Sequence, residues 1–252
     1  MQPHELPPTS PATVLPLPPR LQWATLALPG IRSVKRNWRA MVGLQAGGLA
    51  VVSAYYMSAD VRAFCEMLAE RKVQGGLPLA AIVQSFCCGV VPEIAKYAFN
   101  VDRVFDAQRW RTIAFNCALY AWLGVVVDTF YTALGRRLGD GVDLQTIATK
   151  VAIDQFVFTP LLGIVTIAFA YTFRQYRYNL LRTLGVLGPH WYVTRVVILL
   201  LPCWAFWIPM TSLMYALPSS LTFIFGAIAS AAASLVLNSV ASESAKSSVN
   251  AE

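Results

Sequence analysis

The chain has 252 residues, of which 56% are hydrophobic and only 13% charged, and its formal net charge is +7. A soluble domain of this size carries many more charged residues on its surface, so the composition predicts an integral membrane protein whose partner is the lipid bilayer. The basic residues lie between apolar runs and form no basic face on a polar domain, which argues against nucleic acid and favours anionic lipid headgroups.

Two tails are predicted to flank the membrane region. Residues 1–38 hold eight of the fifteen prolines, so this basic segment is predicted to be disordered rather than helical. From Arg20 to Arg39 its basic residues have no acid among them, which is typical of a juxtamembrane collar or of a cleaved organelle transit peptide. Both interpretations stay open. Residues 242–252 are predicted to form a polar C-terminal tail.

Six apolar segments between the tails are predicted to be helices that cross the membrane, since about 20 residues span the hydrocarbon core. They are residues 40–57, 77–99, 113–135, 147–172, 195–217 and 219–241. The predicted fold is therefore all-α, a polytopic membrane helix bundle at residues 39–241 with four to six transmembrane helices.

The first segment is the shortest of the six, and a membrane-surface helix is its alternative interpretation. Gly43 and Gly47 in this segment have GxxxG spacing, which predicts a close contact with another helix.

Basic residues predict the orientation of the bundle. The loops on one side are richer in lysine and arginine, so both termini are predicted to face the cytoplasm, or the matrix in a mitochondrion. Arg109 and Arg111 immediately precede the third segment. They are predicted to lie at the inner headgroup level and to contact anionic lipid.

An intramembrane polar cluster is predicted around the start of the fourth segment. Lys150 and Asp154 are four residues apart, so a helix would place them on one face within pairing distance. Asp128 lies at a similar depth, about 10 Å below the same surface by helical rise. A charge in hydrocarbon is costly without a partner, so Lys150 is predicted to pair with Asp154, with Asp128 or with both. Gln155 extends the cluster, and Pro160 predicts a kink in the same helix.

Glu93 and Lys96 form a second predicted pair, at i,i+3 spacing near the opposite surface. For both polar groups the spacing supports two interpretations. They are either a polar lining for a solute path or structural clamps between helices, with Lys96 extending its ammonium group to the interface.

Patterns of catalytic and metal-binding residues are missing from the sequence. The five cysteines have no CxxC spacing, and His4 and His190 are too few and too far apart for a metal site. Nothing in the sequence fits a Gly-rich phosphate loop, a serine elbow or an HExxH pattern. The sequence therefore predicts no enzyme, no cofactor and no metal.

Three motifs, in order, resemble the patterns of one known family. The first motif is Arg109-Trp110-Arg111 followed by Gly124 and Tyr131. The second is Asp154-Gln155 followed by Phe158 and Pro160. The third consists of Trp204, Trp207 and Pro209. Over about residues 80–240 they resemble the Mpv-seventeen / 22-kilodalton peroxisomal membrane protein family. The chain departs from that pattern where Val125 replaces the usual proline and Asp128 the usual histidine.

The resemblance implies a location and a class of function. Members of that family are multi-pass proteins of mitochondrial inner and peroxisomal membranes and are implicated in the passage of small solutes. A bacterial chain of this kind would lie in the inner membrane. The leading hypothesis is a protein that forms or gates a narrow path for small polar solutes. The alternative is a structural or assembly protein whose buried ion pairs only stabilise the bundle, and a homo-oligomer stays open.

Overall fold

The computed structural model describes residues 23–99 and 106–249, and it describes side chains between Leu28 and Ser234. The helices are α1 Trp23–Met57, α2 Ala59–Ser85, α3 Val91–Ala98, α4 Ala107–Leu138, α5 Leu144–Ile153, α6 Ile164–Gln175, α7 Leu180–Val186, α8 Pro189–Tyr192, α9 Ile198–Tyr215 and α10 Ser219–Val249. Three π-helical segments, Phe86–Val90, Asp154–Gly163 and Val193–Val197, join α2 to α3, α5 to α6 and α8 to α9. No strand occurs in these ranges, which confirms the all-α prediction.

Five of the described helical stretches are long and apolar enough to cross a membrane, so the chain is an integral, multi-pass membrane protein. They are Gly30–Met57, Ala59–Ala98, Ala107–Leu138, Leu144–Gln175 and Pro189–Tyr215. A shorter apolar helix, Ser219–Ser234, follows them. Each of the six predicted segments overlaps one of these helices.

Helices extend into both of the segments that were predicted to be tails. Helix α1 begins at Trp23, inside the predicted tail of residues 1–38, because most of the helix-breaking prolines lie before this point. Residues 1–22 lie outside the described residues. Helix α10 continues to Val249, well past residue 242, since its alanine, lysine and glutamate residues are good helix formers.

Helix α1 runs parallel to α9 and packs along it, so the alternative of a membrane-surface helix is wrong. The Gln45 side-chain amide donates to the Ala205 carbonyl at 3.1 Å, and further along α1 the Tyr56 hydroxyl donates to the Ala216 carbonyl. Gly43 and Gly47 make no close contact with another helix of the described chain. A Cβ at Gly43 or Gly47 would meet nothing within 4 Å, whereas one at Gly48 would lie 3.1 Å from Met210.

Helices α2 and α4 pack antiparallel through glycine. A Cβ at Gly124 would lie 2.5 Å from the Ala80 carbonyl oxygen, and one at Gly89 would lie 2.9 Å from the Cys117 sulfur. These positions need glycine because the two backbones approach too closely for a side chain. Helix α2 itself bends at Gly76, whose φ of +53° favours glycine.

Helix α4 also runs antiparallel to the α5–α6 stretch, as the short connection between them predicted. Phe130 stacks on Phe158 with ring centroids 4.0 Å apart, and farther along Arg174 donates to the Thr112 hydroxyl at 2.6 Å. We call the end that holds Thr112 and Arg174 the basic end, and the end that holds the α4–α5 turn the turn end.

At the turn end, Asp140 joins two connections. Its carboxylate accepts hydrogen bonds from the Ser219 backbone N–H at 3.3 Å and from the Ser219 hydroxyl at 3.2 Å. The α4–α5 turn is thereby tied to the first residue of α10.

Candidate functional site: a cavity between the helices

A cavity of about 630 Å³ lies between the helices. One face of α4 lines it, and the lining residues of that face are Asn116, Tyr120, Leu123, Val127 and Tyr131. They recur every three or four residues, which is the spacing of one helical face. They extend over about 22 Å along the helix axis, so the cavity is an elongated space parallel to the helices.

Asp154 and Gln155 lie at the buried end of this cavity, and each is only 2% exposed. The Asp154 carboxylate accepts a hydrogen bond from the Tyr215 hydroxyl at 2.8 Å and another from the Thr159 hydroxyl at 3.5 Å. Among the described residues, no lysine or arginine nitrogen lies within 4.0 Å of this carboxylate. The carboxylate is therefore satisfied by neutral donors alone.

Gln155 brings an unused acceptor to the same place. Its side-chain oxygen Oε1 is buried and has no hydrogen-bond partner, although most buried polar atoms have one. Its backbone carbonyl is held by the Trp204 indole N–H at 2.9 Å. The buried end thus presents a carboxylate beside a free amide oxygen.

A π-helical segment positions these two residues. It runs from Asp154 to Gly163 and contains Pro160, which has no backbone N–H to donate. A π-helix is wider than an α-helix and frequently occurs at functional sites. The Pro160 carbonyl accepts a hydrogen bond from the Tyr192 hydroxyl at 3.0 Å, which ties the segment to a neighbouring helix.

Lys150 does not make the ion pair that its spacing predicts. Its ammonium nitrogen lies 3.9 Å from Asp140 and 5.7 Å from the centre of the Tyr215 ring. The Tyr215 ring faces Lys150 while its hydroxyl faces Asp154. Side chains on a helix lean toward its N-terminus, so a lysine that precedes an aspartate by four residues leans away from it.

Asp128 is paired with a residue that sequence reasoning placed in a loop. The Lys72 ammonium lies 2.5 Å from its carboxylate, and Asp128 is 4% exposed. The predicted pairing of Asp128 with Lys150 is therefore wrong. Neither Asp128, Lys72 nor Lys150 borders the cavity, because all three lie between helices at the turn end. Only the packing of α2 against α4 reveals Lys72, since its sequence neighbours are polar.

The predicted pair at the basic end is present and has a further member. Lys96 lies 2.6 Å from Glu93, and the Arg109 Nε lies 3.2 Å from the same carboxylate. Glu93 and Lys96 border the cavity. Arg109 is only 5% exposed, so its side chain turns inward to Glu93 rather than toward lipid, whereas Arg111 is exposed. The predicted place of both arginines at the inner headgroup level stays a prediction. Two positions apart, these arginines point to nearly opposite sides of α4.

The remaining motif residues have distinct structural places. Tyr131, Phe158 and Trp207 border the cavity. Trp204 packs beside Phe156 with ring centroids 5.3 Å apart, and Pro209 is exposed. Sequence reasoning missed Tyr215 and Thr159 as partners of Asp154, since neither residue type signals such a contact from its neighbours in the chain.

No family model, no curated protein and no solved structure matches this chain. The chemistry of the site therefore rests on its own residues. The side chains of the described ranges hold no group of three or more histidine, cysteine, aspartate or glutamate residues able to bind a metal ion. What the buried end offers is negative charge and hydrogen-bond acceptors within a membrane bundle.

Proposed function

We propose that this protein forms or gates a narrow path for small polar solutes across a membrane. The observation that carries the proposal is the cavity of about 630 Å³ whose buried end holds Asp154, with no cation from the described part of the chain paired to it. A charged carboxylate inside a membrane bundle is costly and marks a functional position by default. The volume lies in the range of small-molecule sites, so solutes of metabolite size fit.

We further propose that the chain is a divergent member of the Mpv-seventeen / 22-kilodalton peroxisomal membrane protein family. The three motifs support this proposal, because Tyr131, Phe158 and Trp207 border one cavity. A mitochondrial inner or peroxisomal membrane in a eukaryote, or the inner membrane in a bacterium, is the location this proposal entails.

The test is solute flux through the full-length protein in lipid vesicles. Radiolabelled solutes of graded size are loaded into vesicles with and without the protein. We expect release of metabolite-sized solutes and retention of an oligosaccharide too large for the cavity. Asp154→Asn should alter the rate severalfold, because it removes the charge but keeps an acceptor for Tyr215. The control is Asp143→Asn, the same change at an exposed helix cap, where asparagine caps equally well. Vesicles that release no more solute than empty ones would overturn the proposal.

A second candidate is a structural or assembly protein, and one observation favours it. The Lys72–Asp128 and Lys150–Asp140 contacts lie away from the cavity, so they act between helices. Under this candidate, Asp154→Asn would lower the stability of the protein and leave its flux at the background of empty vesicles.

A further inference from the structure

We propose that the buried end of the cavity is a binding site for a protonated primary amine, held by the Asp154 carboxylate and the Gln155 side-chain oxygen. The inference deepens the proposed solute path and rests on it, since the amine would be a solute of that path. It names the class of solute by the groups that would recognise it.

The first argument is charge. Asp154 is 2% exposed, and its described donors, which are the hydroxyl groups of Tyr215, Thr159 and Tyr131 and the side-chain amide of Gln155, are all neutral. The nearby cation, Lys150, lies on the far side of the Tyr215 ring and within 3.9 Å of Asp140. A buried carboxylate is stabilised by a cation that comes close to it. Because the described residues place none there, a cationic solute completes the site.

The second argument is hydrogen bonding. The Asp154 carboxylate has about four lone-pair sites, and only neutral donors share them among the described residues. Gln155 Oε1 is buried beside it with no partner, and an unmade hydrogen bond at a buried acceptor is unfavourable. A primary ammonium group carries three N–H donors, enough to reach both residues at once. A quaternary ammonium ion has the charge without the donors, and a diol has donors without the charge.

The third argument is the sign of the charge along the cavity. Its charged lining residues are two carboxylates, Glu93 and Asp154, and one ammonium group, Lys96. Lys96 is already bound to Glu93 at 2.6 Å. An anion would therefore find no free cation at the buried end and would be repelled by Asp154.

The experiment measures binding to the full-length protein in detergent by calorimetric titration. Four small probes separate charge from donors: ethanolamine, which is protonated at neutral pH, choline, ethylene glycol and glycolate. We expect ethanolamine to bind about tenfold more tightly than choline, choline more tightly than ethylene glycol, and glycolate not to bind. Equal affinities for the four probes would overturn the proposal.

Two substitutions assign the effect to the two residues. Asp154→Asn should bring ethanolamine down to the affinity of ethylene glycol. Gln155→Met keeps the size and should lower the affinity for ethanolamine severalfold while that for choline stays unchanged. Asp143→Asn, the exposed control, should leave all four affinities unchanged. If Asp154→Asn fails to fold, Gln155→Met still tests the proposal. An unchanged ratio of ethanolamine affinity to choline affinity in that variant would overturn it.

The same probes in vesicles separate this proposal from the proposed function. Amine binding without flux of any solute would support the site and overturn the path. Flux of all four solutes at equal rates, with equal affinities, would overturn the site and leave the path standing.

Discussion

Two buried carboxylates in this bundle differ in what satisfies them. Asp128 is 4% exposed and lies 2.5 Å from Lys72, away from the cavity. Asp154 is 2% exposed, borders the cavity and is held by the hydroxyl groups of Tyr215 and Thr159. A carboxylate that the protein neutralises has no charge left for a ligand, whereas one held by neutral donors keeps it. Pairing, rather than burial, separates the structural carboxylate, Asp128, from the one that we propose binds a solute, Asp154.

The largest effect is expected at the structural carboxylate. Lys72→Met leaves Asp128 buried without a cation, which should lower the free energy of unfolding by about 3–5 kcal/mol. The measurement is equilibrium unfolding of the full-length protein in detergent micelles. The control is Arg71→Met at the exposed neighbouring position, where the change should be within about 0.5 kcal/mol.

The pairing itself is tested by a second substitution. Lys72→Met combined with Asp128→Asn should recover part of the loss, because no buried charge is then left unpaired. If the two substitutions lower the free energy of unfolding additively, Asp128 does not depend on Lys72. The contrast between Asp128 and Asp154 would then be wrong.

A smaller effect is expected at Asp154, where several neutral donors share the stabilisation. Tyr215→Phe removes the hydroxyl that lies 2.8 Å from Asp154 and keeps the ring that faces Lys150. A hydrogen bond to a charged group contributes about 1.5–3 kcal/mol, and unfolding in detergent should show a loss of this size. In the Asp154→Asn protein the same substitution should cost less. An equal cost in both would show that the hydroxyl stabilises something other than the charge.

A comparable loss is expected where α2 and α4 bring Lys72 to Asp128. Gly124→Ala places a Cβ 2.5 Å from the Ala80 carbonyl oxygen, and such overpacking costs about 1–3 kcal/mol. Gly43→Ala is the matched control, because a Cβ there would meet nothing within 4 Å. That variant should be neutral, or more stable by up to about 1 kcal/mol from helix propensity. Thermal unfolding of the two variants side by side checks this, and a loss at Gly43 equal to that at Gly124 would contradict the packing.

The smallest effect is expected for the coupling that the sequence spacing predicts. The Lys150 and Asp154 side chains form no ion pair with each other and share Tyr215 as a neighbour. The coupling energy of Lys150→Met with Asp154→Asn in a double-mutant cycle should therefore be about 0.5 kcal/mol, at the low end for residues that share a partner. A coupling energy as large as that between Lys72 and Asp128 would show that Lys150 and Asp154 form a direct ion pair.

Part of the candidate site was predictable because it depends on spacing within one helix. Glu93 and Lys96 meet because they lie three residues apart on α3. Asp154 and Gln155 were identified as a polar pair inside an apolar segment, and both border the cavity. Spacing also misled, since Lys150 lies four residues from Asp154 and yet leans toward Asp140.

The sequence by itself determined the class of this protein. Apolar segments about 20 residues long must satisfy their backbone groups internally in lipid, and a helix does so within each segment. The length and apolar character of a segment are properties of that segment alone, so they can be recognised without knowing which helices pack against it. The antiparallel packing of α4 against the α5–α6 stretch followed in the same way from a short connection.

Only the tertiary structure decided which charges meet. Lys72 reaches Asp128 because a glycine at position 124 lets α2 approach α4. Tyr215 reaches Asp154 from α9, sixty-one positions away in the chain. Such contacts depend on the distance between helices and on the direction in which each side chain leans, and neither quantity is a property of a single segment. The pairing that separates Asp128 from Asp154 therefore arises only when the helices are packed together.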